Sequence, residues 1–139
     1  PLKFVSRKIT RGAYLISKGV EKELVLGNIN VMRDWGYAPD YVDAIRLIAI
    51  DSHNNDYVVA TGQLRSLNDM CEIAFQAAGI SDYESYIVSD KSLFRSNENS
   101  GLRGNSSKVM DTLGWKPKVS FEQMIEMMVF AEPKDSQLR

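Results

Sequence analysis

The chain has 139 residues, a length that supports one ordinary domain with a single hydrophobic core. Its formal net charge of -1 gives no general attraction to nucleic acid or to an acidic membrane surface, and its 44% hydrophobic content is typical of a globular protein. The single cysteine excludes an internal disulfide and fits a reducing, cytoplasmic setting, and no run of about 18 apolar residues could span a bilayer.

The first half of the chain predicts two helices separated by a short strand. Apolar residues recur at helical spacing over residues 4–18, and Gly19 is a plausible stop. Residues 23–26 are typical of a strand that ends at the turn Gly27-Asn28. Residues 33–39 are predicted to be irregular, and Pro39 suits the first turn of a second helix over residues 40–50.

The second half predicts a β-rich run followed by three more helices. Residues 57–61 have strand-forming side chains and end at Gly62. Two capping boxes, Ser66 with Asp69 and Ser120 with Gln123, predict helices that reach about residues 78 and 130. A weaker strand is predicted near residues 83–88, a polar loop over 94–104, and a short helix over 106–113 before Gly114.

This alternation of helices and short β-rich runs predicts an α/β or α+β arrangement, and we expect an α/β fold of small, mixed helix-strand type. Only about three strand candidates are present, and none leads into a glycine-rich phosphate loop, so a complete Rossmann domain is not expected. We expect one domain over residues 1–132 and a polar tail over residues 133–139.

The familiar catalytic motifs are absent from the sequence. It contains no G-x-G-x-x-G, no Walker phosphate loop, no C-x-x-C and no G-x-S-x-G. The only histidine, His53, lies in a polar loop, and Cys71 falls on a predicted helix as a small core residue. We therefore predict no catalytic residue and no metal ligand on this chain.

Basic residues beside glycine-containing segments are the remaining chemical signal. Lys8 lies on the first helix, Arg33 follows the Leu26-Gly27-Asn28 turn, and Arg95 precedes a loop that carries Glu98. A diphosphate requires cationic donors, and a carboxylate can accept hydrogen bonds from ribose hydroxyls. From spacing alone, the same residues could equally form surface salt bridges.

Several segments resemble the GDP-mannose 4,6-dehydratases, which belong to the extended short-chain dehydrogenase/reductase superfamily. They occur in the family's order along almost the whole chain, and the first of them is the most specific. The segments are F-V-S-R-K-I-T-R at 4–11, L-G-N at 26–28, R-D-W-G at 33–36, D-Y-V at 40–42, Y-V-V-A-T-G at 57–62, F-R at 94–95 and L-G-W-K-P at 113–117.

The resemblance implies a substrate-binding lobe that closes over GDP-mannose. It implies diphosphate contacts for Lys8, Arg33 and Arg95, a nucleotide-pocket turn at Leu26, Gly27 and Asn28, and ribose contacts for Glu98. Full-length relatives convert GDP-mannose to GDP-4-keto-6-deoxymannose with bound NADP, a step towards GDP-fucose. Their catalytic Tyr and Lys and their cofactor loop precede the matching segment, so we expect no NADP site and no activity on this chain alone.

The sequence departs from the family in places, and it leaves alternatives open. Tyr37 stands where the family usually has His, and Ser96 replaces the proline of F-R-P-x-E. The chain begins at Pro1, so we expect a processed protein or the carboxy-terminal part of a longer one. A non-catalytic binding module and a lobe for another nucleotide sugar are the alternatives.

The resemblance also has a consequence for assembly. In relatives, the segments matching 40–50 and 57–61 pack onto an N-terminal Rossmann half. We therefore expect some of Ile45, Ile48, Val58 and Val59 to be exposed or repacked here. An exposed apolar patch would favour a homo-oligomer, so we expect the chain to dimerise or to be marginally stable.

Overall fold

The fold is described by a computed structural model that covers residues 4–52, 55–94 and 101–132. Five α-helices, two short 3-10 helices (Glu84–Tyr86 and Lys91–Leu93) and four three-residue strands lie within these ranges. In chain order the α-helices and strands are α1 (Val5–Ser17), β1 (Leu24–Leu26), β2 (Met32–Asp34), α2 (Ala38–Ala49), β3 (Leu64–Ser66), α3 (Leu67–Ala77), β4 (Ile87–Ser89), α4 (Ser107–Leu113) and α5 (Phe121–Phe130). The predicted small mixed helix-strand fold is confirmed.

The predicted helix ends are confirmed. They were predictable because glycines and capping boxes act on the residues next to them. Gly19, Gly79 and Gly114 follow α1, α3 and α4 with φ values of 69°, 85° and 68°, a conformation that glycine adopts without steric cost. The α3 capping box is present, with the Ser66 hydroxyl accepting from Asp69 N and the Asp69 carboxylate from Ser66 N. The α5 box is equally complete, since Ser120 and Gln123 exchange two such bonds of 3.0 and 3.1 Å.

Two predictions, of one strand and one irregular stretch, are wrong, and a third is only partly confirmed. The strand predicted near residues 83–88 begins only at Ile87, after a 3-10 helix at Glu84–Tyr86. Residues 57–61 form no strand, because no segment in the described ranges pairs with their backbone. Tyr57 and Val59 instead pack against a hydrophobic core of Ala44, Val109 and Trp115. Conversely, β2 lies partly within the stretch predicted to be irregular, and it pairs with β3.

The described residues divide into two compact units. The first comprises the described parts of Pro1–Val31, Ser66–Glu98 and Ile125–Arg139. There α1 packs on α3, and β1 runs parallel to β4 with Leu24 opposite Ile87 and Leu26 opposite Ser89. Its fully buried side chains include Ile9, Met70, Phe75 and Ile125.

The second unit comprises the described parts of Met32–Arg65 and Asn99–Met124. It contains β2, most of β3, α2, α4 and the start of α5. Trp115 is its central side chain, with the ring 6.0 Å from that of Tyr41 in an edge-on arrangement and the indole N–H donating to Asp40 O at 2.8 Å. The prediction of one domain ending at residue 132 stays a prediction.

Candidate functional site

Lys8 lies in the second turn of α1, where its side chain is half-buried. Its backbone N–H donates to Phe4 O at 2.9 Å, so its backbone is part of the helix from the first hydrogen-bonded turn. Within the described residues, the ammonium group forms no hydrogen bond or ion pair. Its charge does act on Asp90, whose carboxyl pKa is lowered first by hydrogen bonds from Ser92 and also by Lys8.

The Leu26-Gly27-Asn28 turn is held by backbone contacts with the chain that follows β4. Leu26 O accepts from Asp90 N at 2.8 Å. A Cβ on Gly27 would lie 2.9 Å from Leu93 O, a distance that only glycine tolerates without a shift of the backbone. The Asn28 side chain accepts from Asn30 N at 3.0 Å and so shapes the turn itself.

Asp90 therefore connects two of the predicted elements of the site. It hydrogen-bonds to Leu26 through its backbone and interacts with Lys8 through its charge. Its side chain accepts from Ser92 N at 2.8 Å, which caps the short turn at Lys91–Leu93. The sequence reasoning missed Asp90, although the Asp-x-Ser spacing is a recognisable turn signal.

Arg33 belongs to the second unit, where it lies in β2 with a half-buried side chain. Its guanidinium donates to Met32 O at 3.4 Å. Arg95 and Glu98, the other two predicted ligand contacts, lie outside the described residues, as does His53. Their assignments stay predictions.

Asp34, the neighbour of Arg33, has a structural role that the sequence did not indicate. Its carboxylate accepts from Thr61 N at 3.0 Å, from the Thr61 hydroxyl at 2.6 Å and from Gly62 N at 2.8 Å. These three bonds fix the Thr61-Gly62 segment beside β2. The Asp of the R-D-W-G motif therefore supports the strand that carries Arg33.

Gly36 and Trp35 complete the structural part of the same motif. A Cβ on Gly36 would lie 2.1 Å from Cε2 of Tyr41, so this glycine makes room for the tyrosine ring. Burial and the nearby Asp34 raise the pKa of the Tyr41 hydroxyl, which therefore stays protonated at neutral pH. The Trp35 indole N–H donates to Arg65 O at 3.2 Å.

A groove of about 260 Å³ in the second unit contains none of the predicted site residues. Its cations already have partners, since Arg65 lies 2.9 Å from Glu122 and Lys118 is paired with Asp43. Its Ser120 and Gln123 side chains are used by the α5 capping box. The groove thus offers little unmet hydrogen-bonding capacity.

The described ranges show no metal site, no reactive cysteine and no membrane-spanning helix. No group of three or more His, Cys, Asp or Glu side chains there could hold a metal ion. Burial raises the pKa of the Cys71 thiol to about 12, so the thiol stays protonated and packs in the core, as predicted. Among the same residues, no helix combines the length and apolar character that crossing a bilayer requires.

Within residues 4–52, 55–94 and 101–132, the strands lack the arrangement that typically binds a dinucleotide such as NADP. Such a site needs a glycine-rich turn that joins a parallel strand to a helix N-terminus. The parallel strands of the first unit lack this arrangement, because β1 leads through Gly27 into β2, and a short turn follows β4.

Comparison with known proteins gives consistent results. The family model for GDP-mannose 4,6 dehydratase matches residues 1–128. The chain is 42% identical to GDP-mannose 4,6 dehydratase 1 of Arabidopsis thaliana, covering 91% of this chain and 35% of that protein. It is 31% identical to the human GDP-mannose 4,6 dehydratase, covering 93% of this chain and 39% of that protein. The chain thus spans about a third of the length of these curated relatives.

Solved structures of extended short-chain dehydrogenase/reductase enzymes share the fold. RMD from Pseudomonas aeruginosa, solved with NADPH, matches with a TM-score of 0.80 and 25% identity over 94% of this chain and 42% of that one. The dTDP-glucose 4,6-dehydratase of Bacillus anthracis, solved with NAD, matches in fold with a TM-score of 0.69 and 19% identity. The match covers 94% of this chain and 40% of that one. With the family match over residues 1–128, these similarities identify the chain as a member of the GDP-mannose 4,6 dehydratase family.

Proposed function

We propose that this chain is the lobe of a GDP-mannose 4,6-dehydratase that closes over the GDP-sugar, equivalent to the carboxy-terminal part of the longer relatives. The complete enzyme would convert GDP-mannose to GDP-4-keto-6-deoxymannose with NADP held by a Rossmann half, and the chain alone would be inactive. The observation that carries the proposal is the family match over residues 1–128. It is supported by the closure of the Leu26-Gly27-Asn28 turn by Asp90 N, and by the electrostatic effect of Lys8 on the pKa of the Asp90 carboxyl.

The charges of the described residues agree with this role. Lys8 is a cation without an ion-pair partner in the described ranges, and it interacts with the segment that closes the turn. Its ammonium would bind one phosphate as a point charge. Arg33 stays a diphosphate contact that the family resemblance alone implies. Arg95 and Glu98 would complete the contacts to the diphosphate and ribose.

GDP-mannose binding by the 139-residue chain is the first prediction. We expect a dissociation constant of about 1 mM, because only part of the pocket is supplied. Lys8→Ala should weaken binding about fivefold through loss of one charge-assisted contact. Titrations followed by amide chemical shifts in NMR would measure both values.

Lys22→Ala is the matched control, since Lys22 is an exposed lysine of the same unit outside the proposed site. It should leave the affinity unchanged. A titration with UDP-glucose tests whether the chain prefers a guanine nucleotide. Equal affinity for GDP-mannose and UDP-glucose would contradict that preference. Absence of any shift with GDP-mannose would refute the proposed function.

Self-association is the second prediction, and it follows from exposed apolar side chains on the second unit. Ile45 and Val58 are 64% and 54% exposed, as the sequence led us to expect, and Val42 on α2 is 63% exposed. Ile48 and Val59 are partly buried. We expect a dimer in sedimentation experiments, with Ile45→Glu raising its dissociation constant about 10-fold or more.

Val20→Glu provides the control, because Val20 is an equally exposed apolar residue (57%) that belongs to the first unit. It should leave the dimer intact. A chain that remains monomeric at every concentration would contradict the prediction.

A further inference from the structure

Three basic residues of α1 share one arc of the helix. At about 100° of rotation per residue, Arg7, Arg11 and Lys8 fall in that order over about a quarter of the helix circumference. A ligand diphosphate beside this arc could in principle attract any of the three. The two arginines and the lysine, however, have different partners in the structure.

Glu132, two residues beyond the end of α5, holds both arginines. Its Oε1 lies 2.6 Å from Arg7 Nη1, and its Oε2 lies 3.5 Å from Arg11 Nη1. The Glu132 side chain is fully buried, whereas the arginine side chains are about one-third exposed, at 32% and 31%. A buried carboxylate requires such cations, because leaving it unpaired would carry a large desolvation cost.

The closer contact is an ion pair rather than an aligned hydrogen bond. Oε1 of Glu132 accepts no hydrogen bond of good geometry, even though a guanidinium nitrogen of Arg7 lies at contact distance. The attraction therefore depends mainly on the negative charge of the carboxylate. A glutamine at this position would keep the size of the side chain and remove the attraction.

Lys8 takes no part in this cluster. Its charge acts on Asp90, the residue that binds the Leu26 carbonyl group, and it forms no ion pair with Glu132. The cations of the arc thus differ in their interactions: Arg7 and Arg11 pair with a buried carboxylate, whereas Lys8 acts electrostatically on Asp90.

We propose that Glu132 determines which cation of α1 binds the ligand diphosphate: by holding Arg7 and Arg11 in ion pairs, it leaves Lys8 as the one cation of that helix available to the diphosphate. The inference rests on the proposed function. Glu132 acts through other side chains, so it is a positioning residue and touches no substrate.

A double-mutant cycle between Glu132→Gln and Lys8→Ala tests this, with GDP-mannose and inorganic diphosphate as the titrated ligands. Lys8→Ala should weaken GDP-mannose binding about fivefold in the wild-type background and less than about twofold with Glu132→Gln, because released arginines replace the lysine. Inorganic diphosphate should bind Glu132→Gln about threefold more tightly than wild type. Glu132→Asp keeps the negative charge. In that background, Lys8→Ala should therefore again weaken GDP-mannose binding about fivefold.

A purely structural role for Glu132 predicts another pattern, in which the Lys8→Ala effect is the same in both backgrounds. That result would overturn the inference and leave the proposed function standing. If the wild-type chain binds no GDP-mannose, the proposed function itself fails, and the inference fails with it. Glu126→Gln, an exposed change on α5, is the control and should behave as wild type.

Arg11→Ala gives a second test that does not depend on the stability of Glu132→Gln. It leaves the shorter pair between Arg7 and Glu132 in place, and the Arg11 side chain is one-third exposed, so we expect the variant to fold. Its affinity for GDP-mannose should equal that of wild type. A loss as large as that of Lys8→Ala would show that Arg11 contacts the ligand and would overturn the inference.

Discussion

Replacement of Asp40 by alanine is expected to lower the free energy of unfolding by about 3 kcal/mol. Asp40 is 4% exposed, and its carboxylate accepts from Lys118 N at 2.9 Å and from Val119 N at 3.1 Å. Alanine would leave these two backbone donors without their partner. It would also remove a negative charge from the first turn of α2, where the helix dipole stabilises it.

Asp43→Ala is the matched control for this prediction. Asp43 lies one turn further along α2, and its carboxylate pairs with the exposed Lys118 ammonium group, so its removal should change stability little. Asp40→Asn keeps one acceptor oxygen, so its free energy of unfolding should lie between those of Asp40→Ala and Asp43→Ala. Urea titrations followed by tryptophan fluorescence would compare the three variants, and equal stability of the two alanine variants would contradict our interpretation of Asp40.

Local signals account for the parts of the fold that the sequence predicted well. The capping boxes at Ser66 and Ser120 each involve residues three positions apart, and Gly19, Gly79 and Gly114 act where they stand. Such features can be predicted without knowledge of the rest of the chain. All five predicted helices were therefore found within a few residues of their expected ends.

Strands were predicted less well because they depend on a partner. Residues 57–61 have the composition of a strand, yet Tyr57 and Val59 are used for packing against the Trp115 cluster. The β1–β4 pair joins segments about 60 residues apart in the chain, a parallel pairing that needs such a crossover. No local pattern specifies which segments will pair.

The same distinction applies to the candidate site. Lys8 and the Leu26-Gly27-Asn28 turn could be proposed from short segments that resemble the family. The carboxylates that organise the surroundings could not, because their partners are remote. Asp34 binds residue 61, 27 positions away, Asp40 binds residue 118, 78 positions away, and Glu132 binds Arg11, 121 positions away.

Gly104→Ala is expected to lower the free energy of unfolding by about 2–3 kcal/mol through overpacking. A Cβ at position 104 would lie 2.2 Å from Cβ of Ala60 and 3.5 Å from Cγ1 of Val58. Ala60 is 6% exposed and has no rotamer through which it could move aside, so the backbone itself would have to shift. Thermal and urea unfolding would measure the loss.

Ala60→Gly should rescue this variant, because it removes the atom with which the new methyl group collides. We expect the double variant to recover most of the lost stability, less about 0.5–1 kcal/mol for the added glycine freedom in the unfolded chain. A single variant with wild-type stability, or a double variant no better than Gly104→Ala, would contradict this account. Such a rescue would mean that Gly104, which the sequence assigns to a polar loop, is a packing residue of the second unit.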